Sequence, residues 1–584
     1  KGRKKDFNER MYGYLASKLK RYPSLIEMNE KVGVTRAMIR ETHGTITDLS
    51  EKAFRSYPEY FDKIYSNQTI DNDVTKARLK KAINKVVSKN GQLVVSSVGH
   101  GHHHKALQTL LKTYKKNNKN VEILLIPVVE DIHNIDPEII EMHLRGDVHL
   151  IFDDVWAGKN LCVTYLTQSL TTTAPLAGLS KYNMKTVIVG GNHQIFQPAP
   201  VKRGVTPRAI MCPGSITMPA YRSSRFNSRP HAKSVKRAEE NHFHGAWVVQ
   251  FREDGTFVPR QLMFLNEDGS FPDDGIQYTQ KGTKKAKAVA GIMGDLHSEE
   301  KSHYTFHEGL KYFKKIGIKK VYVHDGYNST SHNPHDVRKT AYRAGIGLAG
   351  KTNMGHEIKV FADDLNAMTC SYGMDVKIVD SNHDDMFQRA FESGDLLNCP
   401  ENGFLASLIY PISIIAYFQK RNHNIADLAK TKYGMDVKSF KEAFKHILDK
   451  PKALEFAVGL FGLKKKEKVE FLDLDDSRLE AGYECAIHGH QGANGAKGSV
   501  MSLANTFSKI ITGHTHMPQQ KNFNLCVGHN VDTGSDRPHY TKGGTTGWMS
   551  ANGVIYEGGQ FQHQFFINPP TNDEYLEMNM GKAA

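Results

Sequence analysis

Gly294-Asp295-Leu296-His297 decides how the C-terminal half of this 584-residue chain is read. Its partners follow downstream as His324-Asp325, Asn382-His383-Asp384, His488-Gly489-His490 and Gly513-His514-Thr515-His516. Carboxylates, imidazoles and one amide are what two closely spaced divalent ions of hard to borderline character need as ligands. Each group follows an apolar run of strand character: Ala288–Met293, Val321–Val323, Val376–Val379, Ala486–Ile487 and Ile510–Thr512. Strand ends are where α/β sheets gather their sites. A lone Asp-x-His would carry little weight. Buried structural histidines or capping aspartates do not account for the whole ordered set.

Outward from that stretch, the length calls for more than one domain. Hydrophobic residues at 39% and charged residues at 24% describe an ordinary globular composition. The net charge of +15 is less ordinary and favours a polyanionic partner, nucleic acid before a membrane surface. The cysteines (Cys162, Cys212, Cys370, Cys399, Cys485, Cys526) form no Cys-x-x-Cys pair, which argues against a zinc ribbon or a disulfide scaffold. No secretory signal opens the sequence, so a cytoplasmic setting is expected. The apolar run Phe404–Phe418 is interrupted by Pro411. It falls short of the roughly 20 residues a membrane span needs and reads as a buried helix.

Three regions are expected: a helical segment over 1–88, an accessory α/β domain over 89–287, and a catalytic α/β domain over 288–584 with a helical insertion at about 400–466. Ser24–Arg40 has the pattern of a helix-turn-helix, with Gly33 in the turn, Thr35 as cap, and Arg36 and Arg40 on the second helix as candidate DNA contacts. A helical hairpin used only for packing would share that pattern. In the accessory region, Gln92–Val98 and Val121–Val129 read as strands, and Gly245–Phe251 with Thr256–Phe264 as a hairpin. Gly191-Asn192-His193-Gln194 and Cys212-Pro213-Gly214-Ser215 echo motifs of the later domain, as a decayed internal duplication would. No counterpart of the terminal Gly-His-x-His is evident there, so the region is read as accessory. The basic segment from Arg203 to Lys236 includes Arg222, Arg225 and Arg229 with Tyr221 and Phe226 interleaved, a phosphate-tracking composition. Glu267–Lys287 reads as a linker, and the chain beyond Asn568 as loosely held.

With Gly294-Asp295-x-His297, His324-Asp325-Gly326, Ser381-Asn382-His383-Asp384, His488-Gly489-His490 and Gly513-His514-Thr515-His516 in order, the C-terminal half resembles the calcineurin-like metallophosphoesterases. That family includes double-strand-break repair nucleases, cyclic-nucleotide phosphodiesterases and protein phosphatases. The second motif reads His-Asp-Gly where the family usually shows Gly-Asp, and Ser381 stands in place of a glycine; neither change removes a ligand. The resemblance implies a four-layer α/β/β/α sandwich. It implies that Asp295, His297, Asp325 and His516 bind one metal, and Asp325, Asn382, His488 and His514 the other. His490 is the alternative to His488. It further implies that His383 acts at the leaving oxygen, oriented by Asp384. Two such cations would activate a water and clamp the attacked phosphoryl group. The donor set, without thiolate, points to manganese ahead of iron, zinc, magnesium or nickel.

For the substrate, the charge, the helix-turn-helix pattern and the basic segment favour DNA, double-stranded, and hence a deoxyribonuclease. The overall organisation also resembles the early host-DNA-degrading nucleases of certain bacteriophages, which would place the activity in the infected bacterial cytoplasm. A small-molecule or protein phosphatase is the alternative within the family; a DNA-binding regulator with a non-catalytic metal site is the alternative outside it. Family members often assemble through accessory regions, which admits a homo-oligomer. No membrane partner is expected.

Overall fold

The computed structural model describes residues 2–19, 23, 25–57, 71–99, 101–128, 135–166, 185–202, 208–219, 236, 238–336, 339–419, 423–448, 452–496, 498–503, 509–532 and 544–583. The fold is mixed α/β with several sheets. Two compact units emerge: unit one is Lys1–Ile195, Ile210–Phe271 and Tyr278–Thr283, and unit two is Phe196–Ala209, Pro272–Gln277 and Lys284–Ala584. Among the described residues no helix is long and apolar enough to cross a membrane.

Unit one opens with helices Gly2–Leu19, Leu25–Val32, Arg36–Thr42 and Ile46–Ser56. Tyr12, Leu15, Met28, Val34, Ile39, Leu49 and Ala53 are buried together between them. Gly33 takes the left-handed backbone the turn needs, with φ +70. The Thr35 side chain accepts from the Met38 N–H at 3.3 Å and so caps the second helix of the expected helix-turn-helix. Arg36 and Arg40 are exposed. Arg222, Arg225 and Arg229, with most of the basic segment around them, lie outside the described residues.

The rest of unit one is built on a sheet in the order 257–263, 245–251, 92–98, 121–127, 149–150. Strand Gln92–Val98 runs parallel to Val121–Pro127 and antiparallel to Gly245–Phe251. All of its residues are buried, as expected of a central strand covered on both faces. In the same unit Leu161–Thr164 runs parallel to Thr186–Val189 and antiparallel to Val155–Ala157. Histidines at the strand-to-helix turn after Gln92–Val98 are used structurally. His104 caps helix Lys105–Thr109 by accepting the Ala106 N–H at 3.1 Å, and His103 Nδ1 lies 3.0 Å from Asp136.

Unit two centres on a sheet in the order 469–471, 375–378, 320–323, 288–293, 550–556, 561–566. The first four strands are parallel; the last two form an antiparallel pair joined to Ala288–Met293. One face carries Met293, Val321, Val323, Val376 and Ile378 into a core with Phe306, Phe313, Ile358, Phe361, Phe387 and Val458 from the helices. The other face meets a smaller sheet of 483–484, 509–512, 524–526 and 519–521. There the Tyr322 hydroxyl donates to Glu480 at 2.7 Å, and the Tyr483 hydroxyl donates to the Gly559 carbonyl at 3.1 Å. Between strands 375–378 and 469–471 lie helices that include Gly403–Gln419, Ile425–Tyr433, Val437–Ala443, Lys445–Leu448 and Ala453–Leu460.

Two expectations differ from the structure. Glu267–Lys287 is no bare linker: it holds strands Phe271–Asp273, Ile276–Thr279 and Gly282–Lys285, anchored by buried Phe271 and Tyr278. The end of the chain is a helix, Asn572–Ala583. Asn572 docks its start by accepting the His303 N–H at 2.8 Å and donating to the Lys301 carbonyl at 3.0 Å.

Candidate metal centre

The loops after the parallel strands of unit two converge as the motif spacing requires. Asp295 is fully buried, and its Oδ1 accepts the His514 N–H at 3.0 Å. This bond ties the first motif to the last across 219 residues of sequence. Close approach is possible only because Gly513 lacks a side chain: a Cβ there would lie 2.2 Å from Asp295 Oδ1 and 2.8 Å from His324 Cβ. Gly294 is constrained in the same way by the carbonyls of Gly528 and Ala551, at 2.5 and 2.6 Å.

Two clusters of donor atoms share Asp325. In the first, His297 Nε2 lies 3.0 Å from His516 Nε2 and 3.7 Å from Asp325 Oδ2, while His516 Nε2 lies 3.2 Å from Asp295 Oδ2. In the second, His488 Nε2 lies 3.2 Å from Asp325 Oδ2 and 3.1 Å from Asn382 Oδ1; that amide oxygen is also 3.1 Å from His514 Nδ1. Three overlapping groups have ligand atoms all within 4.8 Å of one another: His297, Asp325 and His383; Asp325, His488 and His514; Asp295, Asp325 and His516. His490 is in none of these groups: its Nε2 is 4.0 Å from Asp385 and its ring centroid is 5.5 Å from that of His488.

This donor set suits a cation. His297 Nδ1 donates to Asn328 Oδ1 at 3.0 Å, which leaves its Nε2 lone pair directed at His516 Nε2, 3.0 Å away. Asp295 Oδ2 and Asp325 Oδ1 are buried and have no hydrogen-bond partner among the described residues, which is costly for carboxylates unless something compensates. Burial and the neighbouring Asp325 push Asp295 up to about 8. Burial and His297 hold His516 well below the imidazole range, and burial and His488 lower His514 to about 4. Both are therefore neutral at pH 7, the form that ligates. Burial opposes the charged form of His488, but Asp325 outweighs it and raises the group to about 9.

Backbone strain concentrates at these loops. His297, Asp325, His514 and His516 have φ of +44, +42, +70 and +57. Side-chain-bearing residues adopt that region uncommonly, at a cost of about 1–3 kcal/mol each.

His383 stands at the edge of the site, its ring 4.9 Å from that of His297. Its Nδ1 lies 2.7 Å from the Asn328 carbonyl, which can only accept, so the proton sits on Nδ1. Asp384 does not orient it. The Asp384 carboxylate instead accepts the Ser381 N–H and hydroxyl, both at 2.8 Å, closing a capping box on helix Asn382–Glu392. That box fixes the helix start from which Asn382 and His383 project. The orienting residue is Asn328, whose side chain positions His297 and whose carbonyl positions His383. Its loop is pinned from behind by buried Glu357, which accepts from Thr330 N at 2.5 Å, the Ser331 hydroxyl at 2.6 Å and the Tyr327 hydroxyl at 3.1 Å. The sequence signal for Asn328 is only its nearness to His324-Asp325. Trp548 was also not foreseen; its ring packs 4.0 Å from that of His516.

A cleft of about 400 Å³ opens over the centre and is lined by His297, Asn328, His383 and His516 together with Lys339, Tyr342 and Trp548.

No family model matches the chain, and no solved structure matches it. The chain is similar to Protein A1 of Escherichia phage T5, with 26% identity over 402 residues covering 67% of this chain and 65% of that protein. The match thus spans less than two thirds of the relative's length. That likeness relates the chain to a bacteriophage protein.

Proposed function

We propose that this chain is a two-metal phosphodiesterase of DNA, a deoxyribonuclease on a calcineurin-like α/β/β/α scaffold that degrades host DNA in the infected bacterial cytoplasm. The observation that carries the reading is the pair of donor clusters meeting at Asp325. Asp295, His297, Asp325 and His516 would hold one divalent ion, and Asp325, Asn382, His488 and His514 a second, manganese being the first choice for this donor set. Bound there, such ions supply Lewis acidity that activates water and offsets charge on a phosphoryl group.

The protein's own contributions follow from its hydrogen bonds. Asn328 fixes the tautomer of His297 and keeps its Nε2 aimed at His516. With the Nδ1 proton of His383 committed to the Asn328 carbonyl, the second proton of its imidazolium form, on Nε2, is the one that can pass to a departing alkoxide. Trp548 and Tyr342 line the cleft with aromatic side chains, and Lys339, paired with Asp336 at 2.7 Å, adds a cation, a composition suited to a base and a phosphate. The net charge of +15 and the exposed Arg36 and Arg40 supply the long-range attraction a polyanion needs. The likeness to a phage protein fits host DNA as the target.

The test is cleavage of linear and closed-circular double-stranded DNA with added manganese, wild type beside Asp325→Ala and His383→Ala. Cutting of both substrates by wild type alone is expected and makes the enzyme an endonuclease. Cutting of linear DNA alone makes it an exonuclease. Turnover of bis-nitrophenyl phosphate without any cutting of DNA would replace the nuclease reading with a phosphatase.

A further inference from the structure

We infer that unit one is a second copy of the unit-two scaffold from which the metal ligands have been lost, so that the chain holds one metal centre and one metal-free counterpart of it. The metal half of this inference rests on the reading of unit two given above; the duplication does not.

The two units share strand register and not merely strand order. Val94 pairs with Ile123 on one side and Val248 on the other; Gly291 pairs with Val321 and Val554. Leu125 pairs with Leu150 and accepts the Ile151 N–H at 3.1 Å; Val323 pairs with Ile378 and accepts the Val379 N–H at 3.0 Å. In the smaller ladders, Leu161–Thr186, Val187–Ile210 and Ile188–Met211 repeat as Tyr483–Lys509, Ile510–Asn524 and Ile511–Leu525.

The correspondence continues through irregular backbone, where unrelated α/β proteins have no reason to agree. Ser97 N donates to Gly214 O at 3.1 Å, and Asp295 N to Gly528 O at 3.1 Å. Ile216 N donates to Ser97 O at 2.8 Å, and Asn530 N to Asp295 O at 2.8 Å. His104 N donates to Ile216 O at 2.6 Å, and Ser302 N to Asn530 O at 2.6 Å. The isolated bridges Ser97–Ser215, Ser215–His244 and His103–Thr217 recur as Asp295–His529, His529–Ser550 and Lys301–Val531. One frame accommodates all of these once Gly294 is counted as an extra residue of unit two.

In that frame Ser97 stands at the position of Asp295, Gly99 at His297, Pro127 at Asp325, Leu166 at His488, Gly191 at His514 and His193 at His516. The echo seen at Gly191-Asn192-His193-Gln194 therefore belongs to the terminal motif, through Gly190-Gly191-Asn192-His193, and not to Asn382-His383-Asp384. Helix Asn382–Glu392 has no counterpart, since strand His149–Leu150 runs on directly to strand Val155–Ala157. What remains of the pocket is closed by the protein itself. Ser97 Oγ accepts the Gly191 N–H at 2.9 Å, the role of Asp295 toward His514. Thr217 Oγ1 accepts the Gly99 N–H at 2.8 Å and lies 2.8 Å from Ser215 Oγ. Glycine, proline and leucine side chains cannot ligate a hard cation.

The test is a crystal structure of the full chain soaked in manganese, with anomalous maps collected at the metal edge. Peaks are expected only among Asp295, Asp325 and His516 and their neighbours, with 92–98, 121–127 and 186–189 superposing on their unit-two partners in one frame. A peak beside Ser97 and His193 would overturn the metal-free assignment, and failure to superpose would overturn the duplication. Superposition with no peak in either unit would refute the metal centre while leaving the duplication standing. In solution, the Asp295→Ala/His297→Ala/Asp325→Ala/His488→Ala variant, if still folded by circular dichroism, should lose all the manganese that wild type retains through gel filtration; retention would again place metal in unit one.

Discussion

Unit two holds its backbone in strained conformations where unit one does not. His297, Asp325, His514 and His516 all have positive φ, whereas Gly99, Pro127, Gly191 and His193 do not, among the described residues. Two of those counterparts are glycines, which could adopt the left-handed region freely. The strain in unit two is therefore not a demand of the scaffold. It accompanies the side chains that converge on Asp325, and it is absent where those side chains are absent. A fold can thus be shared down to individual loop hydrogen bonds while the conformations that aim ligands belong to one copy alone.

The comparison breaks most severely at Asp325. Asp325→Ala removes the oxygen common to both donor clusters and should lower DNA cleavage by several kcal/mol of transition-state stabilisation, about 10³-fold or more, together with bound manganese. Pro127→Ala, its counterpart, should leave cleavage unchanged. Parallel assays at saturating manganese check the pair. Equal losses would mean that unit one takes part in the chemistry.

Next in size is His383, on the helix that unit one lacks. His383→Ala should lower kcat by about 10²–10⁴-fold as expected for loss of a general acid. Metal content should be retained, because the residues read as ligands are untouched. A parallel fall in manganese stoichiometry would make His383 a ligand instead. A smaller effect belongs to Asn328, which supports both His297 and His383. Asn328→Ala should weaken manganese binding by about 10–100-fold, the range for residues that orient a ligand. Excess metal should restore much of the activity, since the Asn328 carbonyl that holds His383 survives the substitution. Titration of activity against manganese reads this directly.

These outcomes mark what the sequence could and could not convey. The convergence of Asp295, Asp325, Asn382, His488, His514 and His516 was legible, because carboxylates, imidazoles and an amide that follow strands in order have few reasons to recur except to meet in one place. The role of Asp384 was not legible, because an Asp after Asn-His serves equally well as an orienting group or as a helix cap. That His488 and not His490 lies beside Asp325 and Asn382 needed the positive φ of Gly489, +104, and the packing of its neighbours. Asn328 and Trp548 were invisible since single polar or aromatic residues in loops have no pattern. Duplication was half legible. Loss of the ligands erased the residues by which the copies could be aligned, and only hydrogen bonds restored the frame that places Gly190 opposite Gly513.

That pairing sets up the subtlest prediction. Both glycines sit where a strand end approaches its neighbour, but what they approach differs. A Cβ on Gly513 would strike the Asp295 carboxylate, whereas a Cβ on Gly190 would strike the Ile126 and Val128 side chains at 2.7 and 2.8 Å. Branched aliphatic groups in a packed interior give way only with a shift of backbone or rotamer, at about 1–3 kcal/mol. Gly190→Ala should therefore lower the unfolding free energy by about that amount while leaving kcat intact, measured by urea denaturation beside DNA cleavage under native conditions. Gly513→Ala should lose activity through displacement of Asp295 even where the protein remains folded. If Gly190→Ala proved neutral in stability, the close approach at unit one would not be a packing constraint, and one of the places where the two copies agree would be lost.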